Sequence, residues 1–243
     1  MATKILILFL SAFLSGLLAV AIPSWKEKNF KMILVFAGSY LFSITVLHIL
    51  PELFANPASA YYMGLYVLIG FLLQQVLEFL SSGIEHGHIH HHGHGKNTVW
   101  MVMIGLSLHA FLEGTLLSQQ PSLSGHHHGT ETLLFGIVMH KAPAAFALVA
   151  VLSGSLKRSS VLVLLVIFAL ASPMGVLVSD IAFSQQFLAA EAMDVLFGLV
   201  AGGFLHISTT IFFESSPHHK FHLTRLLVSL FAAALAIASE YLI

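Results

Sequence analysis

The chain has 243 residues, of which 57% are hydrophobic and only 9% charged, with a mean hydropathy of +0.90. Too few polar side chains remain to cover a soluble globule of this size, so the chain is assigned to a membrane; the formal net charge of -1 says little about partners, and no nucleic-acid partner is expected. The absence of Cys excludes disulfide frameworks, thiolate metal sites and Cys nucleophiles, which leaves His, carboxylate, carbonyl and water as the available metal ligands.

Eight apolar segments follow one another: Lys4 to Ile22, Met32 to Phe54, Ala60 to Ser82, Val99 to Gln120, Glu131 to Ser153, Ser160 to Asp180, Ala190 to Phe213 and His222 to Ile243. Each is near the roughly 20 residues that carry a helix across a bilayer core of about 30 Å. They predict an all-α integral membrane protein, residues 1–243 forming a single domain of eight transmembrane helices. The first segment imitates a signal peptide, with Lys4, an apolar run and Ala19-Val20-Ala21. Topology argues for keeping it as helix 1. Lys26, Lys28, Lys31, Lys96, Lys157, Arg158, Lys220 and Arg225 all fall on or beside the odd-numbered connections, and the even ones have no Lys or Arg. The positive-inside rule then makes the odd connections cytoplasmic and both termini external. A multi-pass protein of the plasma membrane or bacterial inner membrane is expected.

Helix 1 carries Ser11, Ala12, Ser15 and Gly16, small residues that let neighbouring helices approach closely. Helix 2 ends in LHILPEL, which sets His48 and Glu52 one turn apart near the outer surface, as an entrance ligand pair or an interfacial cap. Pro51 has no N–H and leaves the carbonyl of Leu47 free. Helix 3 carries Gln74, Gln75 and Glu78 near its inner end and leads into EHGHIHHHGHG, within a predicted cytoplasmic loop over residues 83–98. His86, His88, His90, His91, His92 and His94, interleaved with Gly, cannot build a core and suit loose metal buffering. A smaller cluster, His126 to His128, lies on the opposite side.

Helices 4 and 5 carry the main candidates. His109 and Glu113 share one face of helix 4 at i, i+4. His140 and Lys141 sit at the middle of helix 5, and Pro143 frees the carbonyl of Met139. An ionisable group at the bilayer centre costs about 2.5 to 3.5 kcal/mol on insertion scales, so four at one depth form a functional-site hypothesis. His109, Glu113 and His140 make three N/O ligands of the kind Zn²⁺ accepts. The alternative is a polar network that glues helices together, with Glu113 paired to Lys141.

Helix 6 holds Pro173, expected to kink it. Helix 7 carries Asp194 near its outer end and His206 one turn inward of its middle, and it ends at Glu214. These, with His48 and Glu52, are candidate pathway residues. Acids outnumber bases on the outer side, which favours cation entry there.

The strings HILPE, HAFLEG and HKAPAAFAL, with the His-rich loop after helix 3, resemble the ZIP (Zrt/Irt-like) family of metal transporters, in the branch where Lys follows the helix 5 His. The resemblance implies helices 1 to 3 and 6 to 8 as inverted repeats around helices 4 and 5. It also implies import of Zn²⁺ (sometimes Fe²⁺, Mn²⁺ or Cd²⁺) to the cytoplasm by alternating access, often as a homodimer, with no organic cofactor and no enzymatic activity. His109 and Glu113 match the family's helix 4 ligands and His140 its first helix 5 ligand. Where many members build a second metal site, this chain has Ala110, Lys141 and Ala144, which leads us to expect a mononuclear site. Relatives sometimes carry an acid where Ser172 stands and more often a Tyr where His206 stands. A faint echo of the repeat is Ala37-Gly38 leading to Glu52 and Ala201-Gly202 leading to Glu214. The competing class is a membrane metal sensor or receptor that does not transport. An intramembrane metalloprotease is disfavoured because no HExxH is present.

Overall fold

A computed structural model describes residues 1–22, 27–81, 96–118, 129–185, 187, 190–214 and 222–242. Eight helical spans are found among them: α1 (Ala2–Ala21), α2, α3 (Ala60–Ser81), α4 (Lys96–Thr115), α5 (Gly129–Ser153), α6 (Arg158–Ser184), α7 (Ala190–Glu214) and α8 (Leu223–Leu242). α2 is composite, with Glu27–Ile44, a π-helical turn Thr45–Ile49 and a last turn Leu50–Leu53. The described residues contain no strand. Six of the spans are long and apolar enough to cross a membrane, and the apolar parts of α4 (Val99–Thr115) and α8 (Leu223–Ser239) are shorter. The chain is an all-α membrane protein.

The apolar residues left on the outside explain the layering. Leu6, Leu10, Leu14 and Leu18 of α1, Leu65, Leu68, Leu72 and Val76 of α3, and Leu223, Leu227, Leu230 and Phe231 of α8 are exposed. In water such surfaces would be aggregation-prone patches, whereas acyl chains match them. Only 22% of the α1 and α3 spans is buried, against 67% of α5, so α5 is the central helix.

Packing divides the helices into two groups of four. α1, α4, α5 and α6 pack together through the pairs α1–α5, α4–α6 and α1–α6, and α2, α3, α7 and α8 through α3–α7, α2–α8 and α2–α7. Exchanging α1, α2 and α3 with α6, α7 and α8, and α4 with α5, maps every one of these pairs onto another or onto itself. The α3–α4 and α2–α5 contacts, which join the two groups, do not follow this exchange: their counterparts α5–α8 and α4–α7 are much slighter. The local echo between Gly38 and Gly202 does not extend to equivalent contacts: Gly38 faces Ile211 of α7, and Gly202 faces the Val67 carbonyl of α3.

Small residues set the closest approaches. In α3–α7, a Cβ on Gly70 would run into the carbonyl of Leu199, and one on Gly202 into that of Val67. In α4–α6, Gly114 meets the Ser172 carbonyl and Gly175 that of Phe111 in the same way. Helix pairs in lipid associate through such backbone contacts because no hydrophobic driving force separates them from the acyl chains. The small residues of helix 1 do pack: Ala12 is buried, Gly16 lies against Leu165 of α6, and the Ser15 hydroxyl donates to the Ala142 carbonyl of α5.

Pro51 produces the π turn. The carbonyl of Leu47 finds no N–H four residues on, and the N–H of Leu50 reaches back five residues to the Thr45 carbonyl. The Thr45 hydroxyl donates to the Leu41 carbonyl at 2.8 Å. Proline predicts the missing bond, and the π turn is the rearrangement that answers it. Pro143 and Pro173 lie inside α5 and α6, and both helices continue through them.

Candidate metal centre

Helical periodicity puts His109 and Glu113 on one face of α4, and Nε2 of His109 lies 3.1 Å from Oε1 of Glu113. α5 brings His140 alongside, its ring edge-on to that of His109 with centroids 5.8 Å apart. One ligand atom from each of the three residues lies within 4.8 Å of the others, and all three side chains are buried. Ligands at ~2.1 Å in a tetrahedral zinc shell are about 3.4 Å apart, so modest rotamer changes would close the triad on one ion. Two imidazole nitrogens and a carboxylate oxygen form a donor set that zinc accepts, and a buried carboxylate with no cation nearby would cost several kcal/mol.

Lys141 is fully buried next to this triad. Its ammonium donates to the Ser172 hydroxyl of α6 at 2.5 Å and lies 4.8 Å above the Phe168 ring. Ser172 in turn donates to the carbonyl of Ala110 on α4 at 2.6 Å. A cation is thus tied to α4 and α6 through one hydroxyl, a partnership that sequence reasoning missed. Ser172 stood out only as a departure from the acid that some relatives carry.

The triad sits at the seam between the two helix groups. A cleft there is lined by His109, Leu112 and Glu113 of α4, by Gly70, Gln74 and Leu77 of α3, and by Leu199 and Gly203 of α7. Gln74, only noted in passing from the sequence, is buried at this cleft.

The other sequence candidates fall elsewhere. His48 Nε2 and Glu52 Oε2 are 3.7 Å apart in the last turns of α2, both partly exposed. Asp194 is half-buried in the first turns of α7. His206 is buried in α7, and its Nε2 makes a hydrogen bond with the Glu78 carboxylate of α3, a pairing that the sequence did not reveal. Gly198 and Gly202, two and one turns before His206, fit α7 tightly to α3. The Glu214 side chain, the His-rich stretch from His86 to His94 and the cluster from His126 to His128 lie outside the described residues.

Comparison with known proteins points the same way. Residues 85–238 match the family model described as ZIP Zinc transporter. The chain is 28% identical over 141 residues to Zinc transporter ZIP1 of Danio rerio, covering 57% of this chain and 44% of that protein. It is 28% identical over 159 residues to Zinc transporter ZIP9-B of Xenopus laevis, covering 61% and 50%. Over 114 residues it is 33% identical to Zinc transporter ZIP9 of Macaca fascicularis, covering 44% and 47%. The chain spans about half the length of the curated relatives it matches.

Proposed function

This chain belongs to the ZIP zinc transporter family, and on that premise we propose that it carries Zn²⁺ across the bilayer, into the cytoplasm, through a single-ion site made by His109, Glu113 and His140. The observation that carries the reading is the convergence of these three buried ligands at the seam between two helix groups. An ion held at such a seam can be exposed to either side by relative movement of the groups, which is the geometric requirement of alternating access. Lys141, held by Ser172, supplies one fixed positive charge where a second ion would otherwise sit, and it limits the site to one metal. His48 and Glu52 form the outer capture pair, and the His residues after α3 collect the ion on the far side. Fe²⁺, Mn²⁺ and Cd²⁺ compete for the same N/O donors, and the protein works as a homodimer.

The buried ammonium of Lys141 also favours a second reading. A permanent internal cation beside the ligands repels an incoming ion and would suit a metal sensor that binds without transporting.

Time-resolved ⁶⁵Zn²⁺ uptake into proteoliposomes, beside a His109→Ala/Glu113→Ala double variant, separates the two. Uptake by the wild type and none by the variant supports transport through the α4 site. Zinc binding without uptake moves the sensor reading ahead.

A further inference from the structure

Besides His48 and Glu52 at the end of α2, the described bundle holds a second ionisable pair apart from the triad, Glu78 and His206. It bridges α3 and α7, and the Phe71 ring packs edge-on against the His206 imidazole with centroids 4.8 Å apart, which orients Nε2 toward the Glu78 carboxylate. Helix adhesion does not account for it. α3 and α7 already touch backbone to backbone at Gly70 and Gly202, and a part-buried His–carboxylate hydrogen bond is a poor adhesive because desolvation offsets most of the attraction. Ionisable groups at membrane depth more often mark a pathway.

The position of the pair supplies the rest of the argument. The cleft beside His109 and Glu113 reaches Gln74 on α3 and Gly203 on α7. Glu78 is one turn beyond Gln74 and His206 nearly one turn beyond Gly203, so the pair continues the two faces that line the cleft, about 6 Å further along the helix axes. Glu78 is also the last acid of α3 before the chain enters the His-rich stretch beginning at Glu85.

We propose that Glu78 and His206 form a second, weaker divalent-cation site, which receives the ion released by His109, Glu113 and His140 and passes it toward the end of the bundle where α3 stops. The inference rests on the transport reading above and deepens it. One imidazole and one carboxylate, with the Gln74 amide oxygen within a turn, give an incomplete shell that water must finish. Incomplete ligation suits a relay, because an intermediate site must bind strongly enough to draw the ion on and weakly enough to release it.

Two measurements test it. In the His109→Ala/Glu113→Ala background with [¹⁵N]histidine, the ring resonance of His206, identified by its loss on adding His206→Gln, is followed as ZnCl₂ is added. A zinc-dependent shift that disappears in Glu78→Gln is expected. In proteoliposomes with the intact triad, Glu78→Gln is expected to lower the initial rate of ⁶⁵Zn²⁺ uptake at saturating zinc by about tenfold. A His206 resonance unmoved by zinc overturns the site, and a shift accompanied by wild-type uptake in Glu78→Gln overturns the relay role. If the wild type moves no zinc while the His206 resonance shifts, the cation site stands and the transport reading fails.

Discussion

Lys141 of α5 and Ser172 of α6 are joined by a hydrogen bond in the interior of the bundle, and through it a fully buried ammonium is held beside His109, Glu113 and His140. Two charges a few ångströms apart interact by kcal/mol at the effective dielectric of a protein interior, and the effect doubles against a divalent ion. Replacing Lys141 with Met keeps the volume and removes the charge. Zinc affinity in Lys141→Met is therefore expected to rise by about tenfold or more, and turnover to fall as release slows. Competition with a fluorescent chelator measures the first and proteoliposome uptake the second. An unchanged affinity would remove Lys141 from the electrostatics of the site.

Ser172 is the structural counterpart of that prediction. Its hydroxyl accepts a hydrogen bond from the Lys141 ammonium and donates one to the Ala110 carbonyl, so Ser172→Ala removes a hydrogen-bond acceptor from a buried cation and loosens α4 from α6. Losing a hydrogen bond to a buried charged group costs about 1.5–3 kcal/mol. Thermal unfolding in detergent is expected to show Ser172→Ala melting several degrees lower, with Ser172→Thr, which keeps the hydroxyl, close to wild type. Equal melting of the two variants would mean that the hydroxyl bond carries no stability.

The grouping of His109, Glu113 and His140 was legible in the sequence because two of the three needed only helical periodicity. His109 and Glu113 at i, i+4 must share a face, and equal depth in neighbouring spans sufficed to bring in His140. Lys141–Ser172 and Glu78–His206 were not legible. Each joins helices far apart in the chain, and the rotation of α6 or α7 about its own axis decides the pairing. Apolar patterning fixes that rotation poorly in a membrane, since lipid and protein neighbours are both apolar. The π turn was half legible: Pro51 announced a free carbonyl without saying how the helix would absorb it. The Gly38 and Gly202 echo misled in detail because one faces a side chain and the other a backbone carbonyl.

Glycine tests the α3–α7 contact. In an open helix interior Gly→Ala gains roughly 1 kcal/mol from propensity, and Gly64, whose added Cβ would meet only Phe54 at 3.9 Å, is such a position. Gly70 lies further along the same helix and faces the Leu199 carbonyl, which cannot move aside as a side chain could. Overpacking of that kind costs about 1–3 kcal/mol, which exceeds the propensity gain. Gly70→Ala should melt below wild type and Gly64→Ala at or above it. The reverse order would show that α3 and α7 are free to separate without penalty.

The last prediction concerns the outer end of α2. His48 lies within the π turn and Glu52 just beyond Pro51, 3.7 Å apart, so the direction in which the pair faces depends on the extra residue accommodated between Thr45 and Leu50. Pro51→Ala restores an N–H that can bond the Leu47 carbonyl, which removes the reason for the π turn and lets the segment return to α-helical register. That return turns the pair, still neighbours at i, i+4, by roughly 100° relative to Glu27–Ile44 and away from its present direction, while leaving His109, Glu113 and His140 untouched. If the pair captures zinc, the variant should raise KM for ⁶⁵Zn²⁺ uptake by about threefold or more at unchanged kcat, the pattern of lost uniform binding. The fold should be no less stable, since an interior proline has been replaced by the best helix former. A wild-type KM in Pro51→Ala, with circular dichroism confirming the added helical order, would leave His48 and Glu52 as an interfacial cap.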